Sequence, residues 1–240
     1  MSDNHTIRYN ARTHVGYVRQ INEDSLLSLP DHGIWVVSDG MGGHDAGDYA
    51  SQMIVETVAA IDPDLPPGDM IRALREALNQ AHDVIIAEAA RRGSDTIGAT
   101  VVALALTEGH FACIWSGDSR LYRFQNGGIE LLSHDHSLVA AFVEAGQMTW
   151  DQAEKHPQSN VITQAIGIGD APELEKIRGE VLKGDRFLLC SDGLNKYAGF
   201  QELADVLARE PLETVVDALM EIALDGGGAD NISIIVVDVE

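Results

Sequence analysis

The amino-acid sequence predicts an α+β fold: a four-layer α-β-β-α sandwich, with two antiparallel β-sheets packed face to face and flanked by pairs of helices. Three observations carry this. Helical patterns come in pairs, at 48–61 with 69–92 and at 201–208 with 212–224. Strand patterns come in groups joined by tight turns, which suits antiparallel pairing and not the βαβα alternation of a parallel sheet. The chain has 240 residues, 45% of them hydrophobic, and no linker-like break, repeat or low-complexity tract. Residues 1–240 therefore read as one domain with ample material for a core.

Taken in order, 7–15 and 25–29 read as short strands around a polar connection, and IWVVS at 34–38 as a compact buried strand. The glycine-rich DGMGGHDAG at 39–47 leads into a helix at 48–61 with apolar Met53, Ile54, Val55 and Val58. The prolines of DPDLPPG make 62–68 a loop. Residues 69–92 form a long helix, with Ile71, Leu74, Leu78, Val84, Ile85 and Ala89 on one face. A meander follows at 100–106, 110–115 and 120–124, then a Gly127–Gly128 turn and a strand at 129–132. Residues 136–156 read as helical and polar. Strands at 176–181 and 186–190, the second helix pair and a closing strand ISIIVVDV at 232–239 complete the chain.

The charge balance is strongly acidic, 38 Asp plus Glu against 16 Lys plus Arg, or −22. A nucleic-acid backbone needs a basic footprint, and an anionic membrane surface needs the same, so neither is an expected partner. Cys113 and Cys190 both sit in apolar runs and are expected as buried, reduced thiols in a cytoplasmic protein. The first residues lack the basic-then-apolar pattern of a signal peptide, and no apolar run reaches the length of a membrane span.

Most acidic residues fall on helices and loops, where charge is simply solvated. A few break that pattern. Asp39 follows IWVVS, Asp118 follows FACIWSG, Asp192 follows FLLCS, Asp230 precedes NISIIVVDV, and Glu23 and Asp24 lie in a turn before a strand. One such residue is an ordinary turn or helix cap. Several gathered at one edge of a sandwich would raise one another's pKa values, and divalent cations are the natural remedy. The donors are oxygens; zinc spacing of His and Cys is absent, and so is the compact acidic loop of an EF-hand. Mg²⁺, Mn²⁺ or Ca²⁺ suits such a set. Six carboxylates against two divalent ions leave two negative charges over, which leaves room for a third, weaker ion and for a nearby cation. Arg19, four residues before Glu23, offers a planar fork for phosphate oxygens.

These residues fall in motifs that resemble the PPM family, the type 2C metal-dependent Ser/Thr phosphatases, in their compact bacterial form. The matching segments are GYVRQINED at 16–24, VVSDGMGGH at 36–44, GAT at 98–100, WSGDSR at 115–120, DHSLV at 135–139, HPQSNVITQAIG at 156–167, LLCSDGL at 188–194 and ADNIS at 229–233. They run in the family's order over nearly the whole chain. The resemblance implies the same sandwich fold and a centre of two or three Mn²⁺ or Mg²⁺ ions. It implies that Asp39 bridges two metals and that the Gly40 carbonyl is a ligand. Asp192 and Asp230 complete one metal's shell, and Glu23 with Asp24 serves the other, partly through water. Asp118 holds the third ion, Asn231 supports the site, and Arg19 binds the substrate phosphate. It implies attack on phosphorus by a water or hydroxide shared by the two metals, with no phospho-enzyme. Its partners would be phosphoproteins, substrates of a cognate Ser/Thr kinase, met by a monomeric cytoplasmic enzyme.

Two departures bear on this. Met41 stands where many eukaryotic members carry a histidine proposed as general acid. Methionine cannot donate a proton, which leaves a metal-bound water as donor; His44, three residues on, is the other candidate and reads also as a residue that fixes the loop. Gln164 stands where bacterial relatives often carry a basic residue, at the end of a flap subregion about 136–166, and bears on substrate choice. His134, His136 and His156 in this stretch read as structural or surface groups. A pseudophosphatase is the first competing reading, but every core carboxylate is present. A structural metalloprotein is the second, and Arg19 argues against it.

Overall fold

The structure is a computed structural model and describes residues 5–42, 46–93, 96–153, 156–159 and 161–240. Two antiparallel sheets form its middle. One has the order β1-β11-β10-β7-β8, with β1 (Ile7–His14), β7 (Arg120–Gln125), β8 (Gly128–Leu131), β10 (Arg186–Cys190) and β11 (Ile232–Val239). The other has the order β2-β3-β5-β6-β9, with β2 (Asp24–Leu29), β3 (Ile34–Gly42), β5 (Val101–Thr107), β6 (His110–Ser116) and β9 (Glu175–Glu180). A short β4 (Ile97–Ala99) pairs with the end of β3.

Central strands here are apolar on both faces because each face meets a different layer. On β3, Ile34 and Val36 pack under helices, while Trp35 and Val37 face the other sheet. β11 divides in the same way: Ile232, Ile234 and Val236 face helices, and Ile235, Val237 and Val239 face the sheet interior. Helices α1 (Gly47–Ala59) and α2 (Pro67–Arg92) cover the second sheet. The first is covered by α6 (Phe200–Arg209) and α7 (Leu212–Asp225). The expected sandwich with paired helices is therefore the observed one.

Differences lie at element ends. The polar stretch 136–156 holds two short helices, α3 (Leu138–Glu144) and α4 (Trp150–Ala153). α2 begins at Pro67, inside the expected loop; the first helical turn has no partner for an N–H, so proline is tolerated there. β3 runs on through Asp39 and Gly40 to Gly42, where sequence ended the strand at Ser38. The strand can continue because it changes partner, pairing with β5 over Ile34–Val37 and with β4 over Gly40–Gly42. Thr100 is the break between β4 and β5 and not the start of one strand. Both cysteines are buried and neither forms a disulfide.

Candidate metal centre

Asp39, Asp118, Asp192 and Asp230 come together at one end of the sandwich, from β3 and from the segments next to β6, β10 and β11. They line a cavity of about 250 Å³, together with Arg19, Glu23, Gly40, Met41, Thr100, Lys196 and Asn231. Asp39 is carried by β3, whose partner change is pinned by Thr100. The Thr100 N–H donates to the Asp39 carbonyl at 2.8 Å, and the Asp39 N–H donates to Thr100 Oγ1 at 3.1 Å. Asp118 lies in the β6–β7 turn, Asp192 opens the short helix α5 (Asp192–Asn195), and Asp230 stands two residues before β11.

The segment bearing Arg19 and Glu23 has no regular structure of its own, and Asn231 organises it. Asn231 Oδ1 accepts the Glu23 N–H at 2.8 Å, and its Nδ2 donates to the carbonyls of Val15 at 2.9 Å and Ile21 at 3.0 Å. Asn231 thereby fixes the backbone that carries Glu23. Gly40 is required by close approach. A Cβ there would lie 2.1 Å from the Gly47 carbonyl oxygen and 2.6 Å from that of Glu23.

Asp24 is placed differently from Glu23. It starts β2 opposite Asp39, is buried, and does not line the cavity. Its Oδ2 accepts the Ser191 hydroxyl at 2.8 Å, beneath the cavity floor. Burial pushes its carboxyl up to about 7; hydrogen bonds from Ser233 and Ser191 oppose this, and the charges of Asp192 and Asp230 add to it. Asp39 is pushed well above the carboxylate range by burial and by the charges of Asp24, Asp192, Asp118 and Asp230. Asp118 rises through burial and the charges of Asp192 and Asp135. Glu23 is raised by burial.

Two cations sit on the rim. Arg19 grips Asp230 with both prongs of its fork, Nε to Oδ1 at 2.9 Å and Nη2 to Oδ2 at 3.0 Å. Lys196 Nζ lies 2.7 Å from Asp192 Oδ2 and 3.3 Å from Asp230 Oδ2. Burial works against the ionisation of Asp230, yet Lys196 and Arg19 outweigh it and hold its carboxyl below the usual range. Among the described residues no three His, Cys, Asp or Glu side chains close on a common point. The two cations hold the oxygens instead.

Sequence reading missed Lys196, Thr100 and the lining residue Ile162. The spacing of Asp192 and Lys196, four apart, was the available signal, and it needs the α5 turn to become meaningful. His44 lies outside the described residues. Among the flap histidines, His136 is structural: its Nδ1 accepts the Gly117 N–H at 3.1 Å. Asp135 and Trp150 are both held by Arg120, whose guanidinium pairs with Asp135 at 2.6 Å and stacks 4.6 Å from the Trp150 ring centre.

The residues fit divalent ions. The donors are oxygens throughout, and Asp24 Oδ1 and Asp192 Oδ1 are buried with no hydrogen-bond partner. Stacked carboxylates with raised pKa values and orphaned oxygens are what a hard cation relieves.

Fold and site together define a β-sandwich with a carboxylate-lined cavity, a candidate metal centre, at one end. Residues 14–232 match the family model described as "Protein phosphatase 2C", and the chain belongs to that family. It is similar to the serine/threonine protein phosphatase PstP of Mycobacterium tuberculosis, 33% identical over 97% of this chain and 45% of PstP. The chain thus spans about half the length of that relative. It is also 34% identical to protein phosphatase PhpP of Streptococcus pneumoniae, over 94% of each chain. Among solved structures, PppA, described as a key regulatory component of T6SS in Pseudomonas aeruginosa, matches with 42% identity, 98% of each chain and a TM-score of 0.90. The PstP catalytic domain, solved with two manganese ions, matches with 32% identity over 97% of this chain and 98% of that one, at a TM-score of 0.89.

Proposed function

We propose that the protein is a metal-dependent phosphoprotein phosphatase that hydrolyses phosphoserine and phosphothreonine. The observation that carries this is a forked guanidinium, Arg19, at the rim of a cavity walled by Asp39, Asp118, Asp192 and Asp230. The names of PstP and PhpP support the reading. Manganese, or magnesium in its place, is the cofactor. Asp39, Asp192 and Asp230 would hold one ion, and Asp39, the Gly40 carbonyl and Glu23 would hold another. Asp24 contributes charge from beneath, and Asp118 is left for a third, weaker ion. When bound, the ions supply Lewis acidity and lower the pKa of water in the cavity.

The chain's own groups do the rest. Arg19 releases Asp230 and clamps two phosphoryl oxygens, fixing the phosphate in the cavity. Thr100 and Asn231 keep Asp39 and Glu23 in place through the hydrogen bonds above. Met41 lines the cavity and has no proton to give, so the departing seryl oxygen takes its proton from cavity water.

The substrates are proteins phosphorylated by a Ser/Thr kinase of the same cell, and the enzyme acts as a monomer in the cytoplasm. Two buried cysteines without a disulfide support a reducing compartment, and no helix among the described residues is long and apolar enough to cross a membrane. The likeness to PppA favours a regulatory role in a T6SS. Phosphoproteomics of a deletion strain against an Asp192→Ala strain would identify the substrates. In vitro, a phosphoserine peptide is expected to turn over only with Mn²⁺ or Mg²⁺, and Asp192→Ala is expected to lose at least about 100-fold in kcat. Metal-loaded protein no faster than that variant would end the proposal.

A further inference from the structure

The second sheet is only partly covered. α1 packs on β2, β3 and β4, and α2 packs on β4 and β5. The outer face of β6 and β9 lies beyond them and forms the floor of a groove of about 610 Å³, with the first half of α2 as its wall. Ile177 points inward against the inter-sheet core. Strand alternation therefore turns its neighbours Lys176 and Arg178 outward, into the groove.

The groove's charge runs against that of the protein. Four of the chain's 16 Lys and Arg residues line it, Arg72, Arg75, Lys176 and Arg178, against a single lining carboxylate, Glu108, in a chain of net charge −22. Arg72 is paired with Asp69 at 3.0 Å, and Arg75 is fixed by donating to the Leu174 carbonyl at 3.3 Å. Lys176 and Arg178 are exposed and have no hydrogen-bond or ion-pair partner among the described residues. β9 is also the edge of its sheet, pairing among the described residues only with β6, so alternate N–H and C=O groups along its free side are open to another strand.

We propose that this groove docks an extended acidic segment of a partner protein, which adds a strand to β9 and sets its carboxylates on Lys176 and Arg178. Two cations on one face of a strand, two residues apart, are about 7 Å from each other. They match an acidic-any-acidic pattern in an extended ligand, whose main chain supplies the ladder and whose side chains supply the choice. Arg75, held in place, offers a third contact from the groove wall. The inference does not depend on the catalytic reading, because its test is binding.

The probe is a fluorescent peptide alternating glutamate and threonine, with two controls: the same composition with the glutamates in one block, and a peptide alternating lysine and threonine. Fluorescence anisotropy is expected to show saturable binding of the alternating acidic peptide, weakened by salt. The double variant Lys176→Glu, Arg178→Glu is expected to bind at least about tenfold more weakly, with an unchanged melting midpoint. Amide exchange should slow along β9 when the peptide binds. No saturable binding, equal binding of the blocked peptide, equal binding by the double variant, or protection elsewhere than β9 would each overturn the proposal. So would a dimer in sedimentation that the double variant dissolves, because the groove's occupant would then be a second copy.

Discussion

Lys196→Met is expected to tighten manganese binding while loosening the metal-free fold. Nζ lies 2.7 Å from Asp192 and 3.3 Å from Asp230, and all three side chains are about four-fifths buried, with relative exposures of 21%, 19% and 22%. A divalent ion held by the same two carboxylates must displace the ammonium or share oxygens with it. Hydrogen bonds to charged groups are worth about 1.5–3 kcal/mol. Losing one or two of them is a cost that metal binding bears in the native protein and not in the variant. At about 1.4 kcal/mol per decade, the Kd for Mn²⁺ should fall by about ten- to a hundredfold in Lys196→Met. The reverse effect belongs to EDTA-treated protein. There the variant leaves Asp192 and Asp230 with one cation fewer, and the melting point should drop by a few degrees, about 2–4 °C per kcal/mol at this chain length. Titration calorimetry with MnCl₂ reads the first quantity and thermal unfolding in EDTA the second. Lys196→Arg should stay close to the native protein in both. A Kd for Mn²⁺ within about twofold of native in Lys196→Met would refute the competition argument.

Three further outcomes follow from the same geometry. Asp24 has a folded-state carboxyl raised to about 7, so its contribution to stability is present below the unfolded value and is lost as pH rises through 7. EDTA-treated protein should therefore melt higher near pH 5 than near pH 8. Asp24→Asn should flatten that difference and saturating Mn²⁺ should shrink it; a melting point that rises from pH 5 to 8 in EDTA would contradict the burial argument. Gly40→Ala places a Cβ 2.1 Å from the Gly47 carbonyl, against backbone that cannot swing away, so calorimetry should detect weakened or absent Mn²⁺ binding together with a lower melting point. Arg120→Leu strands the buried Asp135 carboxylate and removes the stack on Trp150, at a cost of about 3–5 kcal/mol in urea unfolding. Adding Asp135→Leu should recover part of that loss; no recovery would mean the cost does not come from the stranded carboxylate.

The sandwich was legible because its central strands are buried on both faces, and runs such as IWVVS and ISIIVVDV have no other reading in a chain this acidic. Asp39, Asp118, Asp192 and Asp230 were legible for a related reason: a carboxylate touching such a run stands out. Asp24 was harder. Beside Glu23 in sequence it looks equivalent, but it is the first residue of β2, and strand alternation turns it away from its neighbour toward Ser191. Beginning the strand at Ser25 hid that. Lys196 was illegible without the single turn of α5, too short to leave a periodic signal. The basic groove was half visible, as cations alternating in KIR. Its wall, however, belongs to α2, about a hundred residues earlier, and only packing brings the two together.

Lys196 also changes the charge count on which a third metal was expected. Glu23, Asp24, Asp39, Asp118, Asp192 and Asp230 carry six negative charges when ionised, and two divalent ions leave two uncompensated. Sequence reading offered those two charges to a third ion and a nearby cation. The structure supplies two cations, Arg19 and Lys196, both in contact with the cluster. Two ions then neutralise the centre without help. A third at Asp118 adds two positive charges that only an incoming phosphate dianion would balance, so its binding should depend on phosphate in the native protein. Lys196→Met removes one of the compensating charges and relieves that dependence. The calorimetric stoichiometry for Mn²⁺ without phosphate should accordingly rise in the variant. On this argument Lys196 and the third ion are alternative answers to the same excess of charge, and Asp118, pushed up by burial and by Asp192 but drawn back by Arg120 and Lys196, is the residue at which the exchange is felt.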